Sequence, residues 1–296
     1  NRSMFGRREI IQGICDLLPN GAPIASIVEW ADLFVASEHC VQLTGTSTAA
    51  IRTRKGRVVS ARTDETRFST PDMLATERQL IDTAIRRTAD GVGTAYHPHV
   101  DAAIDARPTL SDEQTRMVWR VCFSGAGVDI VEGVAGAGKT YALAAANQAW
   151  TESGHTVIGC ALAAKAARQL QTDADIPSVT IDRLLIDLDR PEHGRLAPNT
   201  VIVVDEAAMV GTRKLLRLLD HAEHARAKVV LVGDPCQLPE IEAGGAFTGL
   251  RRRLDASLLA INRRQHESWE RAALAHLRVG DTDTAVDAYL DHGRVK

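Results

Sequence analysis

The feature that most narrows what this chain can fold into is the run Gly-Val-Ala-Gly-Ala-Gly-Lys-Thr at 133–140, set between an apolar stretch and an alanine-rich one. It matches G-x-x-x-x-G-K-[ST], and a strand before it and a helix after it are the context in which such a loop works. Glycines let backbone N–H groups converge on phosphate oxygens, and the positive end of the following helix adds to that field. The candidate nucleotide contacts are therefore Gly133, Gly136, Ala137, Gly138, Lys139, Thr140 and the adjacent Tyr141. Lys139 has the reach for the β and γ phosphates and the Thr140 hydroxyl can ligate magnesium, so the pattern implies ATP and Mg2+.

From about residue 108 onward, strand-like runs alternate with helical ones. Runs at 128–131, 156–160, 201–204, 229–232 and 256–261 are apolar enough to be strands buried on both faces. The pattern predicts an α/β fold, a parallel sheet flanked by helices, over residues 108–296. The first 107 residues read differently, as a small α+β accessory domain. Helices are expected at 8–18 and 24–36, strand-like pieces at 40–43, 57–62 and 67–69, a helix at 71–87, and a Gly/Pro connector at 91–108. Helix, helix, hairpin resembles a winged-helix layout.

Two carboxylates, Asp205 and Glu206, end the apolar run at 201–204. Ligands of open α/β sheets bind at the carboxyl ends of strands, so both acids should face the glycine loop. Asp205 suits a magnesium ligand, and Glu206 suits the base that orients and deprotonates an attacking water. The run at 229–232 ends in Gly-Asp-Pro-Cys-Gln, where the Gln237 amide is placed to bond the γ phosphate or the water. Ser111 and Gln114 have the spacing of a capping box.

Composition sets bounds. A net charge of -3 over 296 residues gives no global electrostatic case for nucleic acid, so any such site must be a local patch. Five scattered cysteines without a CxxC pair favour reduced thiols and a cytoplasmic setting. No apolar run reaches the length of a bilayer-spanning helix, and membrane insertion is not expected. The start, Asn1-Arg2-Ser3-Met4, lacks an initiating methionine, so the chain is expected to be a piece of a longer protein. The run Tyr96-His97-Pro98-His99 superficially resembles a His-x-His metal element, but its Gly/Pro surroundings favour a solvated loop.

The runs GVAGAGKT, VDEAAMV and GDPCQLPEI, in that order, resemble motifs I, II and III of superfamily 1 helicases, in the RecD-like branch. RFSTPDMLATE and LSDEQ before the loop, and Asn262-Arg263-Arg264-Gln265 followed by WERAALAHLRVGD, are similar to the helicase part of MobF/TraA-type conjugative relaxases. The resemblance implies a RecA-like ATPase domain from a DNA helicase or translocase moving 5'-to-3' on single-stranded DNA, linked to conjugation machinery. By it, Gln114 recognises adenine, with the capping role able to coexist, and Arg264 contacts the γ phosphate, with Arg263 the fallback. Lys165, Thr180 and Arg183 match positions that touch a DNA backbone, as does the turn through Gly244, Gly245 and Phe247. Motifs V and VI, which the family carries on a second RecA-like domain, have no counterpart in the sequence, so nucleotide binding is expected to be stronger than movement on DNA. A RecD-type repair helicase and a nucleotide-dependent DNA-binding module without productive turnover are the competing readings.

Overall fold

The computed structural model describes residues 4–43, 50–52, 58–60, 66–190, 196–197, 199–236, 245–265 and 267–294. The chain divides into two compact units, Asn1–Arg78 and Gln79–Lys296.

In the first unit, helices α1 (Arg7–Asp16) and α2 (Ile24–Val35) precede strands β1 (Val41–Leu43), β2 (Ala50–Arg52), β3 (Val58–Ser60) and β4 (Arg67–Ser69), and helix α3 (Pro71–Arg86) runs across the division. The strands form two antiparallel pairs, β1 with β4 and, between them in sequence, β2 with β3. Of these, β2 has no counterpart in the sequence reading. Ile10, Ala31 and Phe68 are the buried centre of this unit, with Phe5 and Phe34 packed around them.

The second unit begins earlier than the expected boundary at 107/108. After α3 come α4 (His97–Asp105), α5 (Asp112–Phe123), β5 (Val128–Gly133), α6 (Lys139–Glu152), β6 (Thr156–Ala161), α7 (Ala164–Ala174), β7 (Ser178–Thr180), α8 (Ile181–Leu188) and β8 (Thr200–Asp205). Then follow α9 (Thr212–His224), β9 (Lys228–Gly233), α10 (Ala246–Arg251), β10 (Ala256–Leu259), α11 (Ser268–Arg278) and α12 (Thr282–Asp291). The expected loop at 96–99 is the start of α4. Pro98 occupies the first turn, where its missing N–H costs nothing. Val100 and Ala103, one turn apart, bury in the cluster that also holds Met117, Leu143 and Trp150. His97 is bonded to Asp101 at 3.1 Å, stacked on Phe123 and tilted against Trp119, while His99 bonds Ser153 at 3.0 Å.

Six strands make one sheet in the order β10-β5-β9-β8-β6-β7, with every neighbouring pair parallel. The five main strands fall where the apolar runs are. Strands β5, β8 and β9 are buried almost throughout because helices cover both faces and leave no side for polar alternation. The short edge strand β7 is outside the sequence expectations, since three residues of which two are polar give no periodic signal. Core residues sort by face. Ile130, Ile202, Val204, Val229 and Leu231 pack with α8 and α9 side chains, whereas Val131, Val201, Val203, Val230 and Val232 pack with α5 and α6. This is a RecA-like fold: the first strand lies inside the sheet and its carboxyl end opens directly into the glycine loop. Among the described residues, no helix is long and apolar enough to cross a membrane.

Candidate active site at the carboxyl edge of the sheet

Register fixes what meets what. Glu132 lies opposite Gly233, Gly133 opposite Leu259, Val204 opposite Leu231, and Ala161 opposite Asp205. The glycine loop, the Asp205–Glu206 pair, the segment opening at Asp234 and the segment following Leu259 therefore all leave the sheet on one edge.

Within the loop, Gly136 and Gly138 have φ of 78° and 73°, a left-handed conformation that costs a side chain and suits glycine. Space excludes larger residues as well. A Cβ on Gly136 would stand 2.8 Å from Asn262 Oδ1 and 2.9 Å from Arg264 Cβ, and one on Gly138 would stand 2.4 Å from Gln114 Nε2. The Lys139 ammonium donates to the Gly133 and Val134 carbonyls at 2.8 and 3.2 Å, folded over the loop it belongs to. Thr140, half-buried, sits in the first turn of α6. Tyr141 is partly exposed, with its hydroxyl 2.8 Å from Thr109 Oγ1.

Gln114 is buried and engaged through both ends of its amide. Its Oε1 accepts the Ser111 N–H at 2.9 Å, closing the capping box, and its Nε2 donates to the Ala137 and Gly138 carbonyls at 3.1 and 3.2 Å. The cap thus braces the loop, and both amide protons are spent on it; one lone pair of Oε1 remains for another donor.

Asp205 ends β8 and accepts the Glu206 N–H on Oδ1 at 2.9 Å. Glu206 adopts φ 53°, left-handed for a non-glycine residue, and turns the chain into the short helical turn Ala207–Met209. Burial pushes the Asp205 carboxyl above the usual range, against the pull of the Glu206 N–H and of Lys139. Burial and then the Asp205 charge push Glu206 up too, again opposed by Lys139. Lys139 moves the other way: burial lowers it, Asp205 and Asp234 raise it, and Arg278 and Arg264 lower it. Each of these three groups is thus held nearer neutrality than in water. A divalent cation for the acids and an anionic phosphate for the lysine would relieve all of them, and in this respect the residues fit a magnesium nucleotide.

The segment at 262–265 closes the loop side. The Arg263 N–H donates to the Gly136 carbonyl at 2.9 Å, while Asn262 Oδ1 accepts the N–H groups of Arg264 and Gln265 at 2.9 and 3.3 Å. Arg264 is near enough to Lys139 for the two charges to repel. Gln237 and Gly244 lie outside the described residues. Phe247, expected at a DNA-contacting turn, is buried in the core on α10, because its apolar ring belongs with Leu231 and Leu250 rather than with solvent. Lys165 is exposed at the start of α7, Thr180 caps α8 by accepting the Arg183 N–H at 3.3 Å, and Arg183 pairs with Asp187 at 2.7 Å. Lys165 follows β6 and Thr180 ends β7 on the same edge as the glycine loop, two and three strands from β9.

Three residues of the edge escape the sequence reading. Asp234 and Glu132 are buried acids, and Arg278, at the end of α11, is bonded to Asp234. Asp234 carried a signal, an acid opening a strand-end turn. Arg278 lies inside the stretch WERAALAHLRVGD but nothing in it points to Asp234, since only the tertiary fold brings α11 to β9.

A family model described as an AAA domain matches residues 109–296. A probable conjugal transfer protein TraA from Sinorhizobium fredii is 37% identical over 234 residues, 77% of this chain and 21% of that protein. The ATP-dependent RecD2 DNA helicase of Deinococcus radiodurans is 33% identical over 196 residues, 62% of this chain and 26% of that protein. Among solved structures, a Pif1 helicase from Bacteroides in complex with ADP-AlF3 and ssDNA aligns with a TM-score of 0.40 and 19% identity, covering 60% of this chain and 48% of that one. The chain spans about a fifth of the length of the conjugal transfer relative. With the glycine loop, the acid pair and the six-stranded parallel sheet in one place, this chain is a P-loop NTPase of the AAA domain family, related to TraA conjugal transfer proteins and RecD helicases.

Proposed function

We infer that this chain is the ATP-hydrolysing motor part of a single-stranded-DNA helicase or translocase that serves conjugal DNA transfer. The observation that carries the reading is the gathering of Lys139, Asp205 and Glu206 at one sheet edge, with each proton affinity displaced in the direction that a bound magnesium nucleotide reverses.

On this reading the Lys139 ammonium leaves the Gly133 and Val134 carbonyls for the β and γ phosphate oxygens, and the N–H groups around Gly136 and Gly138 face the same oxygens. Thr140 and Asp205 would hold Mg2+, which when bound neutralises charge that develops between the β and γ phosphates. Glu206, its basicity raised by burial beside Asp205, takes the proton of the attacking water. Arg264 would stabilise the γ phosphate, with Gln237 sensing it, and Tyr141 and Gln114 would contact the nucleotide. Lys165, Thr180 and Arg183 would follow a DNA backbone along the same edge, so that nucleotide and strand share one surface. Movement, 5'-to-3' in this proposal, needs a second RecA-like domain opening and closing on the cleft. The first unit, Asn1–Arg78, would form an accessory, winged-helix-like part, and the protein would act in the cytoplasm.

The test separates binding from chemistry. Glu206→Gln should bind a fluorescent ATP analogue as the wild type does, and single-turnover hydrolysis should fall by about 100-fold or more. Equal single-turnover rates in the two proteins would remove Glu206 from the role of base.

A further inference from the structure

Beside the phosphate loop stands a row of four alternating charges to which the mechanism above gives no task. Glu132 precedes Gly133 on β5 and Asp234 follows Gly233 on β9, so two acids sit at adjoining strand ends, 6% and 2% exposed. Arg278 donates through Nη1 to Asp234 Oδ2 at 2.6 Å and through Nη2 to Asp234 Oδ1 at 2.7 Å. The same guanidinium lies 4.0 Å from Glu132 Oε1, and Glu132 Oε2 accepts from Arg251 Nε. A third bond, from the Cys236 N–H to Asp234 Oδ1 at 3.0 Å, completes the shell around that carboxylate. The order is Arg251, Glu132, Arg278, Asp234.

A two-pronged bond of this kind needs a planar guanidinium, and a carboxylate this buried is costly without one. Burial alone would push the Asp234 carboxyl up, yet the Arg278 bonds, the Cys236 N–H and the nearby positive charges hold it below the usual range. Asp234 therefore stays charged at the strand end adjoining Gly133, whose carbonyl holds the Lys139 ammonium at 2.8 Å, and there it attracts Lys139 while Arg278 repels it. Lys139 has two anionic suitors, the nucleotide phosphates and Asp234. Arg278 decides how strongly the second competes.

We propose that Arg278 is a positioning residue of the nucleotide site: by clamping Asp234 it keeps that carboxylate from capturing Lys139 and fixes the start of the segment after β9. The proposal rests on the reading of residues 133–140 as an ATP cradle. It predicts opposite signs for the two halves of one ion pair. Losing Arg278 exposes Lys139 to an uncompensated Asp234 and weakens nucleotide binding. Neutralising Asp234 removes the carboxylate that competes for Lys139 and tightens it.

The experiment is a titration of the whole chain with a fluorescent ATP analogue in the presence of Mg2+. Arg278→Ala is expected to weaken affinity by on the order of threefold or more, the near-isosteric Asp234→Asn to tighten it by a similar factor, and the double variant to return toward the wild type. A purely structural clamp would weaken binding in both single variants, because both break the same bonds. Should Arg278→Ala fail to fold, Asp234→Asn still decides: tightening supports the proposal, and weakening or no change overturns it. If the wild type itself fails to bind the analogue, the ATP reading falls and this proposal falls with it. If the wild type binds and the signs do not oppose, only the role of Arg278 is lost.

Discussion

At the scale of single residues, the account turns on charges held where water would not leave them. Asp205 shows the consequence most simply. Burial raises its proton affinity in the folded protein above that of the unfolded chain, so the folded state favours the protonated form. Stability from this group is thus fully present below the unfolded pKa and is lost as pH rises through the higher, folded pKa. Asp205→Asn removes that loss, and its amide oxygen can still accept the Glu206 N–H. We expect the nucleotide-free variant to melt at a higher temperature than the wild type at neutral pH, with the gain fading as pH falls through the raised pKa. A gain constant across pH, or a lower melting temperature throughout, would contradict this. Lys139, Asp205 and Glu206 were legible in the sequence because their positions follow from strand ends. The bonds from the Gln114 amide protons to the Ala137 and Gly138 carbonyls were not, since a capping box shows its own spacing but not what lies behind it. Arg278 was invisible for the same reason: its partner lies 44 residues away in sequence.

At the scale of elements, the five main strands were legible because a strand covered on both faces is apolar along its length, and that pattern survives in one sequence. Elements with weak patterns were lost. Helix α4 hides behind Gly91, Gly93 and Pro98, and β2 and β7 are only three residues long. The contact between the glycine loop and the segment after β10 has a testable consequence. Gly136 combines a left-handed backbone with a space closed by Asn262 and Arg264. Gly136→Ala should cost about 1–3 kcal/mol and lower the melting temperature by several degrees. Its nucleotide affinity should also fall, because the Arg263 N–H bonded to the Gly136 carbonyl must shift. Thermal unfolding followed by circular dichroism would show the effect; an unchanged melting temperature would mean that the loop accommodates a methyl group and that the packing described here is not tight.

At the scale of the whole molecule, the sheet order places the loop strand β5 between β10 and β9, so the glycine loop, Asp234 and the segment at 262–265 leave the sheet on one edge, while β6 and β7 carry Lys165 and Thr180 farther along it. The RecA-like class was readable because strand, loop and helix come in sequence. The extent of the second unit was not, since α4 joins it through packing against α6 that no local signal announces. On the proposed function, this edge holds ATP through Lys139. That is tested most directly by titrating the chain and its Lys139→Ala variant with a fluorescent ATP analogue and Mg2+. The account predicts saturable binding of one nucleotide per chain by the wild type and a loss of about 100-fold in affinity in the variant, whose loop has no cation for the β and γ phosphates. A variant that binds as tightly as the wild type would contradict it.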